Sequence, residues 1–391
     1  MRIVVDARPL SEPLQGGATH QTVQGGVGRV ALELVRALAA DNPADEIVCA
    51  TTGSQRPVLQ ARLLALANVR QIHLNIPNKI WSAACAIGAV SLFRQIQKRC
   101  GKADAFFMPN LGFVGSLPEQ TPTVLLLHDL SFLVEPRWFG WKQRLWHRAI
   151  RVRHLIRGAT RLIAVSETTK RDAMRLLDIP ADKINVIPIG ATLPDAAFDP
   201  SYKLQATSFP ARYCLALGLG DRRKNAATAI EAVRQLRREK GFEDMELVIV
   251  GGSRREKKDV IPTEVEGSSN WKVSRHARDD NFSWIQVIPQ PTDPELAALY
   301  QNAAAFLYPS WYEGYGLPLH EAARCGTPRV ASTSGALPET APAGTLFANP
   351  AKPQHWVEAL KLSLSRSRTE ATTERRTWHD AARILRQALE I

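Results

Sequence analysis

The stretch Tyr308–Glu339 reads YPSWYEGYGLPLHEAARCGTPRVASTSGALPE. An apolar run, Ala305–Tyr308, ends against Pro309, which lacks the N–H a strand ladder needs and so closes the strand. A glycine-rich turn follows, a helix opens near Leu317, Gly326 stops it, and a second apolar run begins at Pro328. Strand, loop, helix and strand in that order form one unit of a parallel α/β layer.

The same habit recurs on both sides of it. Apolar runs at Arg2–Asp6, Glu46–Ala50, Ala105–Met108, Thr123–His128, Arg161–Val165 and Ile184–Ile187 alternate with stretches of helical period such as Val27–Asp41 and Ser166–Leu177. A second series, Tyr213–Leu217, Glu246–Gly251, Trp284–Ile288, Ala305–Tyr308 and Pro328–Ala331, alternates with Asn225–Lys240, Asp293–Gln301 and Leu317–Arg324. Apolar strands separated by helices predict parallel sheets covered on both faces. Two series in tandem predict two doubly wound α/β domains. The alternative, one mixed sheet of about a dozen strands, exceeds the usual size of an open sheet. The predicted domains are 1–195 and 196–370, joined through the proline-rich Pro194–Pro210, with 371–391 as a terminal helix packing back across the domains. That helix is amphipathic, with Trp378, Ala382, Ile384, Leu385 and Leu389 on or near one face. Ser253–Ser283 is polar and punctuated and reads as a surface insertion.

Composition narrows the class. The chain has 391 residues, 45% apolar and 23% charged, which excludes disorder over most of its length. Its net charge of +12 is uneven: 24 basic face 15 acidic residues over 1–195, against 26 and 23 over 196–391. The expected partner of the first half is a polyanion or an anionic membrane surface. A nucleic acid is disfavoured, because no RNA- or DNA-binding motif accompanies the charge. Five cysteines, without C-x-x-C spacing, fit neither a disulfide framework nor a zinc cluster and suit a reducing compartment. The opening MRIVVDARPL enters a strand with no secretory core, and the longest apolar run, Ile80–Phe93, is shorter than the roughly 20 residues of a membrane span. A cytoplasmic protein, peripheral on the inner face of the plasma membrane, is the expectation.

Four places can carry chemistry. Glu313 in the glycine turn and Glu321 eight residues on can accept hydrogen bonds from sugar hydroxyls; a solvated loop acid and a helix-surface acid are the alternative. The helix start behind Gly314, Tyr315, Gly316 and Leu317 offers unpaired N–H groups and a positive dipole end to a phosphate. LGLGDRRKNA, Leu217–Ala226, is a strand end, a turn and a helix start with Arg222, Arg223 and Lys224 at its mouth. Fixed cations there stabilise a leaving diphosphate more than the ground state, whereas a solvated turn is the bland alternative. His128 ends the strand LLLHDL at the carboxyl edge, where open α/β sheets bind ligands, with a purely structural strand histidine as the alternative. Gly26, Gly28 and Ala31 fit a dinucleotide G-x-G-x-x-A fingerprint only directly after a strand, and the preceding strand ends near Asp6.

The E-x7-E string EGYGLPLHE and its continuation CGTPRVAS resemble the retaining nucleotide-sugar glycosyltransferases of the GT-B fold, family 4 (group 1). The resemblance runs through nearly the whole chain in the family's order: GGVGR (25–29), HDL (128–130), VSETTKRD (165–172), NVIPIG (185–190), LGLGDRRKN (217–225) and LVIVGG (247–252). It implies two Rossmann-like domains with an inter-domain cleft, the acceptor mainly on the first and the donor mainly on the second. It implies that Glu313 bonds sugar hydroxyls, Glu321 the ribose and Lys224 the diphosphate, that Gly25 and Gly26 approach the donor phosphates, and that His128 orients the transferred sugar. The arginine that the family often carries directly after the strand glycine is absent, since Leu219 follows Gly218, and Arg222 or Arg223 is left to substitute. The implied chemistry is front-face attack with retention, the leaving phosphate taking the acceptor's proton. No cofactor is expected, and with no D-x-D triad in the chain no metal. HDLSFL followed by a Trp-rich basic segment is most similar to mannosyl-transferring members, so GDP-mannose and cell-surface polysaccharide synthesis are the first expectation. UDP-glucose is the second donor, and a nucleotide-sugar epimerase or synthase on a soluble acceptor is the other class. Removing Glu313 or Lys224 is expected to abolish transfer and leave the melt nearly unchanged.

Trp138–Arg161 holds Lys142 and six arginines with no acid. Trp141, Leu145, Ala149, Val152 and Ile156 at helical spacing predict one continuous apolar stripe. The segment is either a packed helix with a solvated basic face, or a basic amphipathic helix on anionic lipid or a lipid-linked diphosphate acceptor. In the second case Trp141, Arg144, Arg148, Arg151 and Arg153 are the contact residues.

Overall fold

The computed structural model describes residues 1–10, 25–57, 59, 61–190, 193, 197, 210–252, 282–289, 291–366, 368 and 378–390. Nearly all of Pro194–Pro210 and Ser253–Ser283, and residues 371–377, lie outside the described residues. The chain divides into two units.

In the first unit, β1 (Arg2–Asp6), β2 (Glu46–Gly53), β3 (Val69–Asn75), β4 (Ala105–Met108), β5 (Thr123–Leu127), β6 (Arg161–Ala164) and β7 (Ile184–Val186) form one sheet in the order β3-β2-β1-β4-β5-β6-β7. Every pairing is parallel. In the second, β8 (Tyr213–Leu217), β9 (Glu246–Val250), β10 (Ile285–Ile288), β11 (Ala305–Tyr308), β12 (Arg329–Ser332) and β13 (Leu346–Ala348) run β10-β9-β8-β11-β12-β13, again all parallel. These are the two doubly wound sheets that the alternation of runs predicts.

Strand alternation makes both faces apolar. In β8, Cys214 and Ala216 join a core with the helices Ala226–Leu236 and Pro353–Ser365, whereas Tyr213 and Leu215 join another with Asp293–Asn302 and Leu317–Arg324. Two strands escape the sequence reading. β3 lies at the sheet edge and buries only Val69 and Leu74, so VRQIHLN lacks the continuous apolar run of a central parallel strand. β13 has only three residues.

The terminal helix Trp378–Leu389 belongs to the first unit, where it packs on the helix Gly26–Asp41. It buries Ala381, Ala382, Leu385, Ala388 and Leu389, and Arg386 pairs with the buried Asp45. The single basic helix expected across Trp138–Arg161 is two helices. Trp141–Ala149 and Val152–Gly158 meet at a break where Arg151 has φ 54°. The apolar stripe breaks with it: Val152, Leu155 and Ile156 are buried, but the first helix buries none of its residues. Among the described residues no helix is long and apolar enough to cross a membrane.

Candidate active site

In the second unit the chain lays down β8, β9 and β10 in one direction, then places β11 on the other side of β8. The crossover helices leave toward opposite faces there, so the carboxyl ends of β8 and β11 frame the switch point at which open α/β sheets take ligands. The two loops that start at this point carry the candidate residues.

After β8, Gly218 turns with φ 78°, and a Cβ on it would sit 2.6 Å from Cγ of Lys224. Glycine is required twice over, for the backbone and for the lysine stem. A short turn, Arg222–Lys224, follows, capped by the Asp221 carboxylate, which accepts from the Arg223 N–H at 2.9 Å. Asn225 adopts φ 55° and donates from Nδ2 to the carbonyls of Pro309 and Pro350, each at 3.0 Å. The Trp311 N–H donates to the Arg223 carbonyl at 2.8 Å. The two loops are thus stitched together by the Trp311 N–H and the Asn225 amide, independently of the charged side chains.

On the β11 side, Glu313 is pinned from behind. A Cβ on Gly335 would come within 2.7 Å of the Glu313 N and O, and the Ala336 N–H donates to the Glu313 carbonyl at 2.9 Å. The Glu313 carboxylate accepts from Lys224 Nζ at 2.8 Å and from Arg223 Nη1 at 3.0 Å. Lys224 Nζ also donates to the Tyr308 phenol oxygen at 2.7 Å and lies 4.8 Å from the centre of that ring. Burial alone would push the Glu313 carboxyl up, but the Arg223 guanidinium and Lys224 ammonium outweigh it and hold the group at about 2. An acid so far below neutral pH has no proton to give and little basicity. What it offers is two anionic oxygens.

Arg222, Arg223 and Lys224 therefore part company. Arg223 and Lys224 face the carboxylate, whereas Arg222 stands exposed in the same turn. Glu321, on the helix Leu317–Arg324, is buried and accepts from the Tyr300 hydroxyl at 3.1 Å. Neither acid of the E-x7-E string is the solvated surface group that was its alternative. Burial, with the Glu321 charge behind it, drives the Tyr300 phenol well up; burial and the Glu313 charge do the same to Tyr308. Gly314, Tyr315 and Gly316 are buried and Leu317 half-buried. Gly316 has φ 104°, and a Cβ there would strike Leu337 at 2.6 Å. The Tyr315 ring stacks on His320 with centroids 5.0 Å apart.

In the first unit, His128 directly follows β5 and is half-buried. Its Nε2 lies 2.8 Å from the Pro109 carbonyl, an acceptor, so Nε2 carries the proton. Burial holds the imidazole below its usual value despite that carbonyl and Asp129, which leaves a neutral ring with a lone pair on Nδ1. Asp129 accepts from the Ser131 N–H at 2.9 Å and its hydroxyl at 2.6 Å, the work of a turn residue. Gly25 and Gly26 are exposed at the start of the helix Gly26–Asp41, far along the chain from Asp6 where β1 ends. Among the described residues, β1 ends at Asp6 and these glycines open the helix at residue 26, not the direct strand-to-glycine turn of a dinucleotide fingerprint.

Sequence reasoning missed Tyr300, Tyr308, Asn225 and Gly335. The two tyrosines carried a signal, since a phenol in a core position needs a polar partner. It also missed Arg8, at the tip of β1, which grips the buried Asp6 with Nε and Nη2 at 2.7 and 2.6 Å and donates to the Phe113 carbonyl at 2.9 Å. Among the described residues no group of three or more His, Cys, Asp or Glu side chains is placed to hold a metal ion.

Two family models match the chain in tandem, Glycosyltransferase Family 4 over residues 24–193 and Glycosyl transferases group 1 over residues 210–383. The chain belongs to this family of GT-B glycosyltransferases. The glycosyltransferase is 26% identical over 362 residues to O-antigen chain mannosyltransferase B of Escherichia coli, covering 90% of this chain and 87% of that protein. It is 28% identical over 196 residues to D-inositol 3-phosphate glycosyltransferase of Pseudarthrobacter chlorophenolicus, covering 49% of this chain and 43% of that one. Two solved structures share its fold. WaaG, a glycosyltransferase involved in lipopolysaccharide biosynthesis, has a TM-score of 0.61 at 15% identity, over 100% of this chain and 94% of that one. Sucrose-phosphate synthase from Thermosynechococcus elongatus gives 0.65 at 19% identity, over 100% and 94%.

Proposed function

We propose that this glycosyltransferase moves mannose from GDP-mannose, with retention of configuration, onto a lipid-linked saccharide in cell-surface polysaccharide synthesis, with Glu321 on the donor ribose. The observation that carries the reading is the Arg223–Glu313–Lys224 cluster at the switch point between β8 and β11. Arg223 and Lys224 exchange one carboxylate partner for the donor diphosphate and stabilise the charge that grows as the sugar departs. Glu313, released from one or both cations, accepts hydrogen bonds from hydroxyls of the transferred hexose. Being ionised throughout, it is not the base; the leaving phosphate takes the acceptor's proton. His128 accepts a sugar hydroxyl on Nδ1. Two fixed cations supply the charge that a divalent ion would otherwise bring, so transfer proceeds without metal. Mannose is favoured over glucose by the similarity to a mannosyltransferase along 90% of the chain.

A thermal-shift screen against GDP-mannose, GDP, UDP-glucose, UDP and NAD, each with EDTA or Mg²⁺, tests the reading, because ligand bound to the folded state raises the melting midpoint by mass action. The expected result is a rise with GDP and GDP-mannose that EDTA leaves unchanged. A rise with UDP compounds alone would replace the donor, a rise that needs Mg²⁺ would overturn the metal-free chemistry, and a rise with NAD alone would overturn the whole assignment.

A further inference from the structure

We propose that the helices Asn78–Ala86 and Trp141–Ala149 form one docking surface for an anionic lipid bilayer. The two helices, far apart in sequence, meet at Phe113. The Phe113 carbonyl accepts from Trp81 Nε1 at 2.7 Å and from Cys85 Sγ at 3.2 Å, while its ring meets Trp146 edge-on with centroids 6.2 Å apart. Trp81 and Cys85 are the buried face of the first helix; on the other side Ile80 is exposed, and Ile87, just past the helix end, is 81% exposed. The second helix is anchored by His147, stacked on Phe132 with centroids 4.4 Å apart. It leaves Trp141, Leu145 and Trp146 in solvent, Trp141 at 66%. Five of the ten exposed large apolar side chains among the described residues thus sit on this pair of elements.

The exposed charge on the two helices has one sign. Lys79, Lys142, Arg144 and Arg148 are exposed, and neither helix contains an acid. An apolar patch alone would suit a second copy of the chain, and a basic patch alone would suit any polyanion. Tryptophan, leucine and isoleucine set among lysines and arginines suit the boundary between acyl chains and anionic headgroups, where both parts are satisfied together. The inference rests on the proposed lipid-linked acceptor for its purpose, but it can be tested without turnover.

The full-length chain is sedimented with vesicles of equal parts phosphatidylglycerol and phosphatidylcholine, and with phosphatidylcholine alone. Binding is expected to the anionic vesicles only. Arg144→Gln with Arg148→Gln should weaken it about 25-fold, at roughly 5-fold for each charge near the surface. Trp141→Ser with Leu145→Ser should remove the part that survives high salt, and Ile80→Ser with Ile87→Ser should weaken it from the other helix. All six side chains are exposed, so the melts should match wild type. A wild-type chain that stays in the supernatant overturns the proposal, as do variants that partition unchanged, or a dimer in solution that the serine variants split. The nucleotide thermal shift is independent of all of these, so failure here leaves the donor assignment standing and failure there leaves this one.

Discussion

Replacing Glu313 by glutamine keeps the size of the side chain and removes its charge, which isolates what the carboxylate does for the two cations. A carboxyl held at about 2 in place of 4.5 is stabilised in its ionised form by about 3 kcal/mol, at 1.36 kcal/mol for each factor of ten. The variant leaves Arg223 and Lys224 opposite an uncharged amide in a largely enclosed site, though both retain enough water contact to relieve part of that cost. The unliganded protein should lose about 2–3 kcal/mol at pH 7, which replaces the expectation of an unchanged melt. The pH dependence has a definite sign. Because the folded-state value is lowered, the contribution is complete above about 4.5 and is lost as pH falls toward 2, so wild type and variant should converge across that window. Binding should respond in the opposite sense. A nucleoside diphosphate supplies the anion that glutamine lacks and should bind the variant at least as tightly as wild type, while transfer falls about 100-fold or more for want of the sugar's acceptor. Urea unfolding at several pH values, titration calorimetry with GDP and initial rates measure the three effects. A variant as stable as wild type at pH 7 would refute the ion-pair argument. Parallel losses of GDP affinity and turnover would assign Glu313 to the nucleotide instead of the sugar.

Gly218→Ala should displace Lys224 and destabilise the fold by about 1–2 kcal/mol through positive-φ strain and the 2.6 Å clash; GDP calorimetry and a melt read both. Arg223→Gln should weaken GDP binding about tenfold or more, whereas Arg222→Gln should change it less than twofold, at roughly 1.4 kcal/mol per tenfold; equal effects would contradict the geometry of the turn. His128→Gln should lower kcat with little change in GDP affinity. Because burial lowers the His128 value in the folded state, wild type should also lose stability as pH falls through about 6.5, and this variant should lose less. A wild-type profile that is flat from pH 7 to 5.5 would count against the neutral imidazole.

Central strands and the loops between them were legible because parallel sheets demand runs such as TVLLL and ELVIV, and the break after AFLY is a proline. Val69–Asn75 was not, because an edge strand with one neighbour can leave most of its side chains partly in solvent, and this one buries only Val69 and Leu74. The break at Arg151 left no trace either: the apolar spacing continues through it and no glycine or proline marks it, so only packing on the first unit decides where the helix stops. At the site, the identity of Glu313 and Lys224 was readable, but three consecutive bases look alike in a sequence. The Asp221 cap and the Trp311 N–H that fix the turn decide which of them faces inward. Tyr300 and Tyr308 read as core because they are core; that Tyr308 also meets Lys224 follows only from the register that sets the ends of β8 and β11 side by side, and that Tyr300 meets Glu321 only from the packing of Asp293–Asn302 beside Leu317–Arg324.

The terminal helix that returns to the first unit has a bearing on how such a chain is made and recombined. Trp378–Leu389 covers the Gly26–Asp41 helix, so the half synthesised first waits, with that apolar face uncovered, until residues 378–389 have left the ribosome. A cut at the apparent border between halves gives a first half lacking one of its own walls. Chimeras that exchange halves among family members should therefore carry the helix Trp378–Leu389 with the first half of the gene, not with the second. Libraries built by simple crossover near residue 195 would sample misfolded first halves far more often than misfolded second halves.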